Sequence, residues 1–291
     1  MAVAYRMLGS RSEAEDAVQE AWLRYAPVDP DTIDDLPAWL TTVTARICLD
    51  VLRSARVRRE AYVGPWLPEP LVARLPAPDA DPVDQVTRTE EVSFALLVVL
   101  ERLSPEQRVA FVLHDVFAMP FDEIASVLGI SSTAARQLAS RARKAVTDSR
   151  VRQRPDRAEQ RRVLDAFLSA ARHGDIDGLL AVLAPDVVAT GDGGGEAPTA
   201  RTPIPGAPRV GRFLLGLFRQ PERLDVVAET VLVNDDLGLL VEGTFPDGTS
   251  LLGVICFAIA DGRITAIYNQ VNPAKLDRVP RPDPARNVLA R

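Results

Sequence analysis

Residues 119–146 read MPFDEIASVLGISSTAARQLASRARKAV, and this stretch sets how the rest of the chain is parsed. Ile124, Ala125 and Leu128 recur at helical spacing up to Gly129. Ile130, Ala135 and Leu138 carry the apolar pattern on beyond it. Ser131 is a good N-cap for the second helix, because its hydroxyl can accept from a free backbone N–H of the first turn. Helix, glycine turn, helix is the helix-turn-helix pattern. In that motif the second helix enters the major groove with its N-terminal residues at base edges. Ser132, Thr133, Arg136 and Gln137 occupy that end and carry the hydrogen-bonding groups that base edges require. Arg141, Arg143 and Lys144 lie further along, suited to phosphates. An ordinary helical hairpin with a solvated face is the plainer alternative.

Upstream, Ser104-Pro105-Glu106 marks a helix start that runs through QRVAFVLHDVF, and another helix is expected over about 85–102. Residues 61–84 hold six prolines in 24 positions and are expected to be a linker, with Trp66 and Leu67 making it stickier than an inert spacer. Before it, LPAWLTTVTARICLDVLRSARVRRE predicts a long helix with Leu36, Leu40, Val43, Ile47 and Val51 as its apolar stripe. SEAEDAVQEAWLRY at 12–25 predicts an amphipathic helix resting on Ala14, Val18, Ala21, Trp22 and Tyr25, with Glu13, Glu15, Asp16 and Glu20 in its first turns, where the helix dipole favours anions.

Downstream of about residue 158 the pattern changes. RRVLDAFLSAARHG and DIDGLLAVLA predict two helices. DVVATG, RLDVVAETVLVN, LGLLVEGTF, SLLGVICFAIA and RITAIYNQV predict strands, separated by turns at Asn234-Asp235, Pro246-Asp247-Gly248 and Asp261-Gly262. Helices first and a meander of strands afterwards imply an α+β domain with a curved antiparallel sheet. The last residues, DRVPRPDPARNVLAR, are expected to be a flexible tail.

The chain has 291 residues and a formal net charge of −6, enough length for two or three domains but no overall positive coat for nucleic acid. Position matters more than the sum. Between 46 and 60 five arginines face only Asp50 and Glu60, and between 136 and 157 eight basic residues face only Asp148 and Asp156. Each cluster could track a phosphate backbone. Cys48 and Cys256 are the only cysteines, and His114 and His173 the only histidines, so neither a disulfide framework nor a zinc site is expected. No apolar run approaches ~18 residues. A cytoplasmic protein without membrane, metal or cofactor is the expectation.

SEAEDAVQEAWLR followed by LPAWLTTVTARICLDVLRS resembles region 2 of bacterial extracytoplasmic-function sigma factors, and LSPEQRVAFVLHDVFAMPFDEIASVLGISSTAARQLASRAR resembles their region 4. YVGPWLPEPLV in the linker, DGGGE at 192–196 and NPAKL at 272–276 resemble motifs of the subgroup with a SnoaL-like C-terminal domain. That subgroup usually has a basic residue where Glu196 stands and an acid where Ala274 stands. The chain also starts inside region 2, so a short first helix is expected.

The resemblance implies a multidomain chain. Two all-α sigma domains, region 2 over 1–60 and region 4 over 85–150, flank the linker 61–84. A SnoaL-like α+β cone follows over 158–276, and the tail over 277–291. It implies core RNA polymerase and promoter DNA as partners, with Asp16, Gln19 and Glu20 on the polymerase clamp. The −10 element would be taken as single strand by Asp31, Thr32 and Asp35 at a flipped base, with Thr42, Arg46, Arg53 and Arg56 along the backbone. The −35 element would be read by Ser132, Thr133, Arg136 and Gln137, with Arg141 and Arg143 on phosphates.

The third domain would regulate the other two through Trp66, Leu67 and Pro68 of the linker, Asp192, Gly193, Gly194 and Gly195, and Asn272, Pro273 and Leu276. A small-molecule ligand in the cone is a further expectation. Asp192, Glu196, Asp225, Glu229, Glu242 and Tyr268 would be pocket candidates if the domain were an enzyme. The alternatives are a SnoaL-type enzyme or sensor with an appended DNA-binding module, and a simple dimeric repressor, which would leave residues 10–60 without a role.

Overall fold

The computed structural model describes residues 1–60, 62–75, 92–149, 155–218, 225–246 and 248–290, except the side chains of 55–60 and 218. The chain divides into two compact units, Met1–Ala61 with Leu96–Arg152, and Tyr62–Ala95 with Gln153–Arg291.

The first unit is helical. α1 (Ala2–Leu8) ends on Gly9 in the left-handed conformation, and α2 (Arg11–Tyr25) starts at Ser10, whose hydroxyl accepts from the Glu13 N–H. Ala14, Ala17 and Ala21 are the buried face of α2. Trp22, expected on the apolar stripe, is instead 62% exposed. Alanines on the inner face let helices approach closely, and the indole lies at the edge of that contact against Tyr25, ring centres 5.6 Å apart. α3 (Leu36–Glu60) buries Ala45, Ile47, Cys48, Leu49 and Leu52, so its true core face is rotated from the expected Leu36–Leu40–Val43–Val51 line.

Of the helix expected over 85–102, Phe94–Leu100 forms as α4; the described residues 92–93 and 101–102 are not helical, and residues 85–91 lie outside the described residues. α5 (Pro105–Phe111) opens with a reciprocal capping box between Ser104 and Gln107 and passes into a π-turn at Val112–Val116. α6 (Phe121–Leu128), Gly129 at φ +68° and α7 (Ser132–Asp148) form the helix-turn-helix. Ile124, Ala125, Leu128 and Ala135 are buried as expected, whereas Ile130 and Leu138 are half-buried, and Ala139, Ala142 and Val146 complete the core face. α3 packs on α5 and α6 inside this unit.

The second unit carries the sheet. α8 (Arg157–His173) and α9 (Ile176–Val182) precede β2 (Leu183–Asp192), and a short β3 (Ile204–Pro205) leads into α10 (Ala207–Phe218). β4 (Asp225–Val233), β5 (Asp236–Thr244), β6 (Ser250–Ala260) and β7 (Arg263–Gln270) form the meander. The expected antiparallel sheet contains one parallel pair, β2 with β7, because β3 and the single helix α10 carry the chain across between β2 and the meander. Phe167, Leu168 and Leu179 of the helices and Leu214 of α10 meet Leu239, Phe257 and Ile267 of the sheet in one apolar cluster.

Two expectations are corrected at the sheet edge. Part of the proline-rich linker is a strap bound to this unit, and Val72–Arg74 is a strand, β1, paired antiparallel with Val231–Val233 at the edge of the order β1-β4-β5-β6-β7-β2-β3. Residues 76–84 of the linker lie outside the described residues. The tail is not loose over 277–290. Val288 donates its N–H to the Ala228 carbonyl at 2.7 Å, and Val288 and Leu289 pack against the core. The tail supplies apolar and hydrogen-bonding groups that its proline and arginine content hides.

Candidate nucleic-acid interface and linker clamp

On α7 the buried alanines leave Thr133, Arg136, Gln137, Arg141 and Lys144 exposed along the opposite face. Ser131 fixes the start of that face by accepting from the Ala134 N–H at 3.2 Å. The Arg136 guanidinium lies 5.5 Å from the centre of the Phe121 ring, which limits its swing without using its donors. Two expected contacts are less available. Among the described residues the buried Ser132 hydroxyl has no hydrogen-bond partner, and Arg143 binds Asp115 at 2.6 Å. A serine one residue into a helix can turn inward, and sequence alone does not fix its rotamer.

In region 2, Asp29 organises the loop. Its carboxylate accepts from the Asp31 N–H and its carbonyl accepts from the Thr32 hydroxyl at 2.6 Å. Asp31 and Thr32 are exposed, while Asp35 caps α3 by accepting from Ala38 N–H at 3.0 Å. That bond occupies one oxygen of the exposed Asp35 carboxylate in capping α3. Thr42 is half-buried. Arg46 donates to the Ser126 carbonyl at 3.2 Å, and Arg53 meets Glu106 at 3.1 Å. Burial would raise the Glu106 carboxyl, but its own N–H at the start of α5, Arg53 and Ser104 hold it below the usual range. The Arg56 side chain lies outside the described residues. On α2, Asp16 and Gln19 are exposed and Glu20 pairs with Arg24 at 3.0 Å.

The expected regulatory residues converge in the second unit. Asp192, at the end of β2, is 1% exposed. Its Oδ1 accepts from the Tyr62 hydroxyl at 2.6 Å and the Gly194 N–H at 3.0 Å. Its Oδ2 accepts from the Leu67 N–H at 2.9 Å, Lys275 Nζ at 2.8 Å and Gln270 Nε2 at 3.2 Å. Burial alone would raise this carboxyl. The Lys275 charge and the donors from Lys275, Tyr62 and Leu67 outweigh it and hold the group below its ordinary value.

Lys275 also donates to the Leu67 carbonyl at 2.6 Å and lies 4.0 Å from the centre of the Trp66 ring. Gln270 reaches the Pro68 carbonyl at 3.1 Å. Asn272 donates from Nδ2 to the Tyr62 oxygen at 2.7 Å and caps the short turn Pro273–Lys275 that presents the lysine. Leu276 is buried beneath it. Burial, then the hydrogen bond to Asp192, push the Tyr62 phenol well up.

Tyr62 and Gln270 are site residues that sequence reasoning misses. Tyr62 stands in the quoted linker motif, while a single glutamine near a strand end carries no spacing signal. Gly193, Gly194 and Gly195 shape the loop after Asp192. Glu196 is exposed and lines, with Val63, Pro65, Thr199 and Arg201, a cleft of about 400 Å³ beside the strap.

The pocket candidates for an enzyme do not converge. Asp192 is in the clamp, Glu229 binds the tail through the Asp283 N–H at 2.9 Å, Glu242 pairs with Arg281, and Tyr268 packs on Phe94 with ring centres 5.8 Å apart. Among the described residues no group of His, Cys, Asp and Glu could hold a metal ion, and no helix is long and apolar enough to cross a membrane.

Residues 1–58 match the family described as Sigma-70 region 2, residues 93–146 match Sigma-70, region 4, and residues 164–267 match the SnoaL-like domain. The "ECF RNA polymerase sigma factor SigJ" of Mycobacterium tuberculosis is 48% identical over 96% of this chain and 90% of its own length. This chain is an extracytoplasmic-function (ECF) sigma factor. The sigma factor is also 38% identical to the "Probable ECF RNA polymerase sigma factor SigI" of the same species, over 94% of this chain and 90% of that one. The crystal structure of Mycobacterium tuberculosis SigJ matches it with a TM-score of 0.75 at 42% identity, covering 95% of this chain and 94% of that one. The relatives are sigma factors and not enzymes, which sets aside the SnoaL-type enzyme with an appended DNA-binding module.

Proposed function

We propose that this sigma factor works in the cytoplasm, where it binds core RNA polymerase and directs it to promoters. The exposed face of α7 reads the −35 element through Thr133, Arg136 and Gln137, with Arg141 and Lys144 on phosphates. The loop before α3 and the arginines of α3 take the −10 element as single strand. Asp16, Gln19 and Glu20 on α2 engage the polymerase clamp. The observation that carries the DNA-reading part is the two-faced build of α7, alanine inward and hydrogen-bonding side chains outward.

The C-terminal domain regulates the sigma regions through the strap. The linker leaves α3 at Glu60 and is gripped from Tyr62 onward by the Asp192–Lys275 network. Reconstituted transcription tests this reading. The full chain should support promoter-specific initiation by core polymerase, and chains truncated before Asn272 or before about residue 158 should change its output. Unchanged output from both truncations would remove the regulatory role. A small molecule acting on this domain is a second reading. The cleft beside the strap favours it over the interior of the cone, where the apolar cluster lies.

A further inference from the structure

We infer that Phe121, the first residue of α6, is a positioning residue for base reading: its ring holds the Arg136 guanidinium in place before DNA arrives, and His114 holds the ring. The inference rests on the assignment of Arg136 to a base of the −35 element. Phe121 is half-buried and directly follows Pro120, the N-cap of α6. The guanidinium carbon of Arg136 lies 5.5 Å from the centre of its ring. The His114 imidazole is stacked on the same ring, with centres 4.0 Å apart and planes 29° from parallel.

His114 is itself fixed. Its Nδ1 lies 3.1 Å from the Met119 carbonyl. A carbonyl oxygen can only accept, so Nδ1 carries the hydrogen and donates it. The bond ties the π-turn at Val112–Val116 to the segment that leads into α6. The plane of the imidazole is thereby set, and Phe121 lies against it.

Arg136 has no other hold. Among the described residues it makes no hydrogen bond or ion pair, although Asp122 and Glu123 follow Phe121 in the first turn of α6. A helical side chain leans towards the N-terminus of its helix, which on α7 is the base-reading end. Contact with a ring face restrains the flexible stem and leaves every N–H donor of the guanidinium free. A carboxylate partner would restrain it too, but would occupy donors that a base needs. An arginine already ordered in the free protein loses less rotamer freedom on binding than one that DNA must order. Its planar fork pairs bidentately with O6 and N7 of guanine. The selectivity of α7 at the base pair met by Arg136, a G·C pair by this chemistry, therefore depends on Phe121, a side chain with no hydrogen-bonding group of its own.

The test uses holoenzyme assembled from core RNA polymerase and the full chain. The probe is a duplex promoter library randomised across the −35 and −10 elements, and bound duplexes are sequenced. The unmodified protein should enrich guanine at one −35 position, and Arg136→Ala should abolish that preference. Phe121→Leu, which keeps apolar bulk but no ring, should lower the preference at that position by roughly two- to fivefold, the scale of an exposed cation–π contact. Preferences at the other −35 positions and at the −10 element should stay as they were. Phe121→Tyr, which keeps the ring, should keep the full preference. His114→Asn, which keeps a donor for the Met119 carbonyl but no aromatic ring, should act in the direction of Phe121→Leu. In the free protein, NMR relaxation of the Arg136 Nε–H should show restricted motion that Phe121→Leu releases.

Guanine preference and Arg136 motion unmoved by Phe121→Leu would overturn the positioning role while leaving base reading by Arg136 intact. Equal loss at every −35 position, or an equal loss in Phe121→Tyr, would overturn it as well, because Phe121 would then only support the fold of region 4. A preference unmoved by His114→Asn would overturn the part given to the imidazole. A −35 preference unmoved by Arg136→Ala would overturn the proposal through its premise, the assignment of Arg136 to a base.

Discussion

Asp192 and Lys275 stand 2.8 Å apart across 83 residues of chain, and between them they hold both backbone polar groups of Leu67. The carboxylate takes the Leu67 N–H and the ammonium takes its carbonyl. Removing one member of a buried pair leaves the other charge uncompensated, at about 3–5 kcal/mol. Asp192→Asn should therefore destabilise the second unit by that order. Lys275→Met leaves the more deeply buried Asp192 carboxylate without its counter-charge and should cost at least as much, even though its apolar chain can still lie on Trp66. Denaturant titration gives the energies, and hydrogen exchange at the Leu67 amide gives the strap. An Asp192→Asn protein with full Leu67 protection would show that the strap is held elsewhere.

The clamp was legible as motifs but not as a mechanism. DGGGE, NPAKL and the Trp66–Pro68 stretch could each be quoted from the sequence, yet nothing in their spacing says that one lysine reaches a carboxylate 83 positions away. Meander strands and helix-turn-helix were readable because their periodicities are local. The rotated core face of α3 was not, since Cys48, Ala45 and Leu52 are selected by the neighbouring helices rather than by α3 itself. The same holds for Asp35 and Ser132. Both look like reading residues in sequence, and each turns an oxygen to the fold through a rotamer that only the folded backbone sets.

The clamp has a pH window with two edges. Asp192 is held below the ordinary carboxyl range, so its contribution is present above about pH 4 and is lost as pH falls through the lowered value. Tyr62 is pushed up, so its contribution is intact below about pH 10 and is lost as pH rises towards the raised value. Trp66 fluorescence, isolated by difference against Trp66→Phe, should stay flat between these limits because the Lys275 ammonium keeps its place over the ring. A transition centred near pH 6 or 7 would contradict this assignment.

Gly194 separates backbone demand from space. It sits at φ +64°, and a Cβ there would lie 2.6 Å from the Asn272 side chain. Gly248 also has a positive φ, +85°, but a Cβ there would meet nothing within 4 Å among the described residues. Gly248→Ala should cost about 1 kcal/mol, the conformational penalty alone. Gly194→Ala should cost more, by roughly 1–3 kcal/mol of overpacking, and should loosen Tyr62 through Asn272. Equal melting shifts in the two variants would mean that the loop moves aside freely.

On α7, base reading and phosphate binding predict different variants. A bidentate arginine–guanine pair is worth about 1–3 kcal/mol of discrimination. Arg136→Ala should lose selectivity at one base pair of the −35 element while binding other positions as before. Lys144→Ala should weaken all promoters alike and lower the salt slope of holoenzyme binding by about one. Uniform weakening by Arg136→Ala would move that residue to the phosphates. The net charge of −6 adds a companion expectation: the full chain without polymerase should bind promoter duplex weakly at physiological salt.

The tail makes the last prediction, because it shares the edge of β4 with the linker strand. β1 pairs with Val231–Val233, while Asn287 and Val288 bond the backbone of Val226 and Ala228. Glu229, 1% exposed, lies between them. It accepts from the Asp283 N–H at 2.9 Å, with Arg286 at 3.5 Å and Arg74 of β1 at 3.8 Å. Ending the chain at Leu276 removes the first two partners and bares three residues of sheet edge. The loss should be about 2–4 kcal/mol, or roughly 5–10 °C in Tm for a unit of this size, with concentration-dependent association through the open edge. Glu229→Gln should restore part of the lost stability in the truncated chain, where the buried charge is undercompensated, and should lower stability in the full chain, where it is paired. Calorimetry of the four proteins decides it: if truncation leaves Tm unchanged, or if Glu229→Gln acts alike in both backgrounds, the tail does not neutralise that carboxylate.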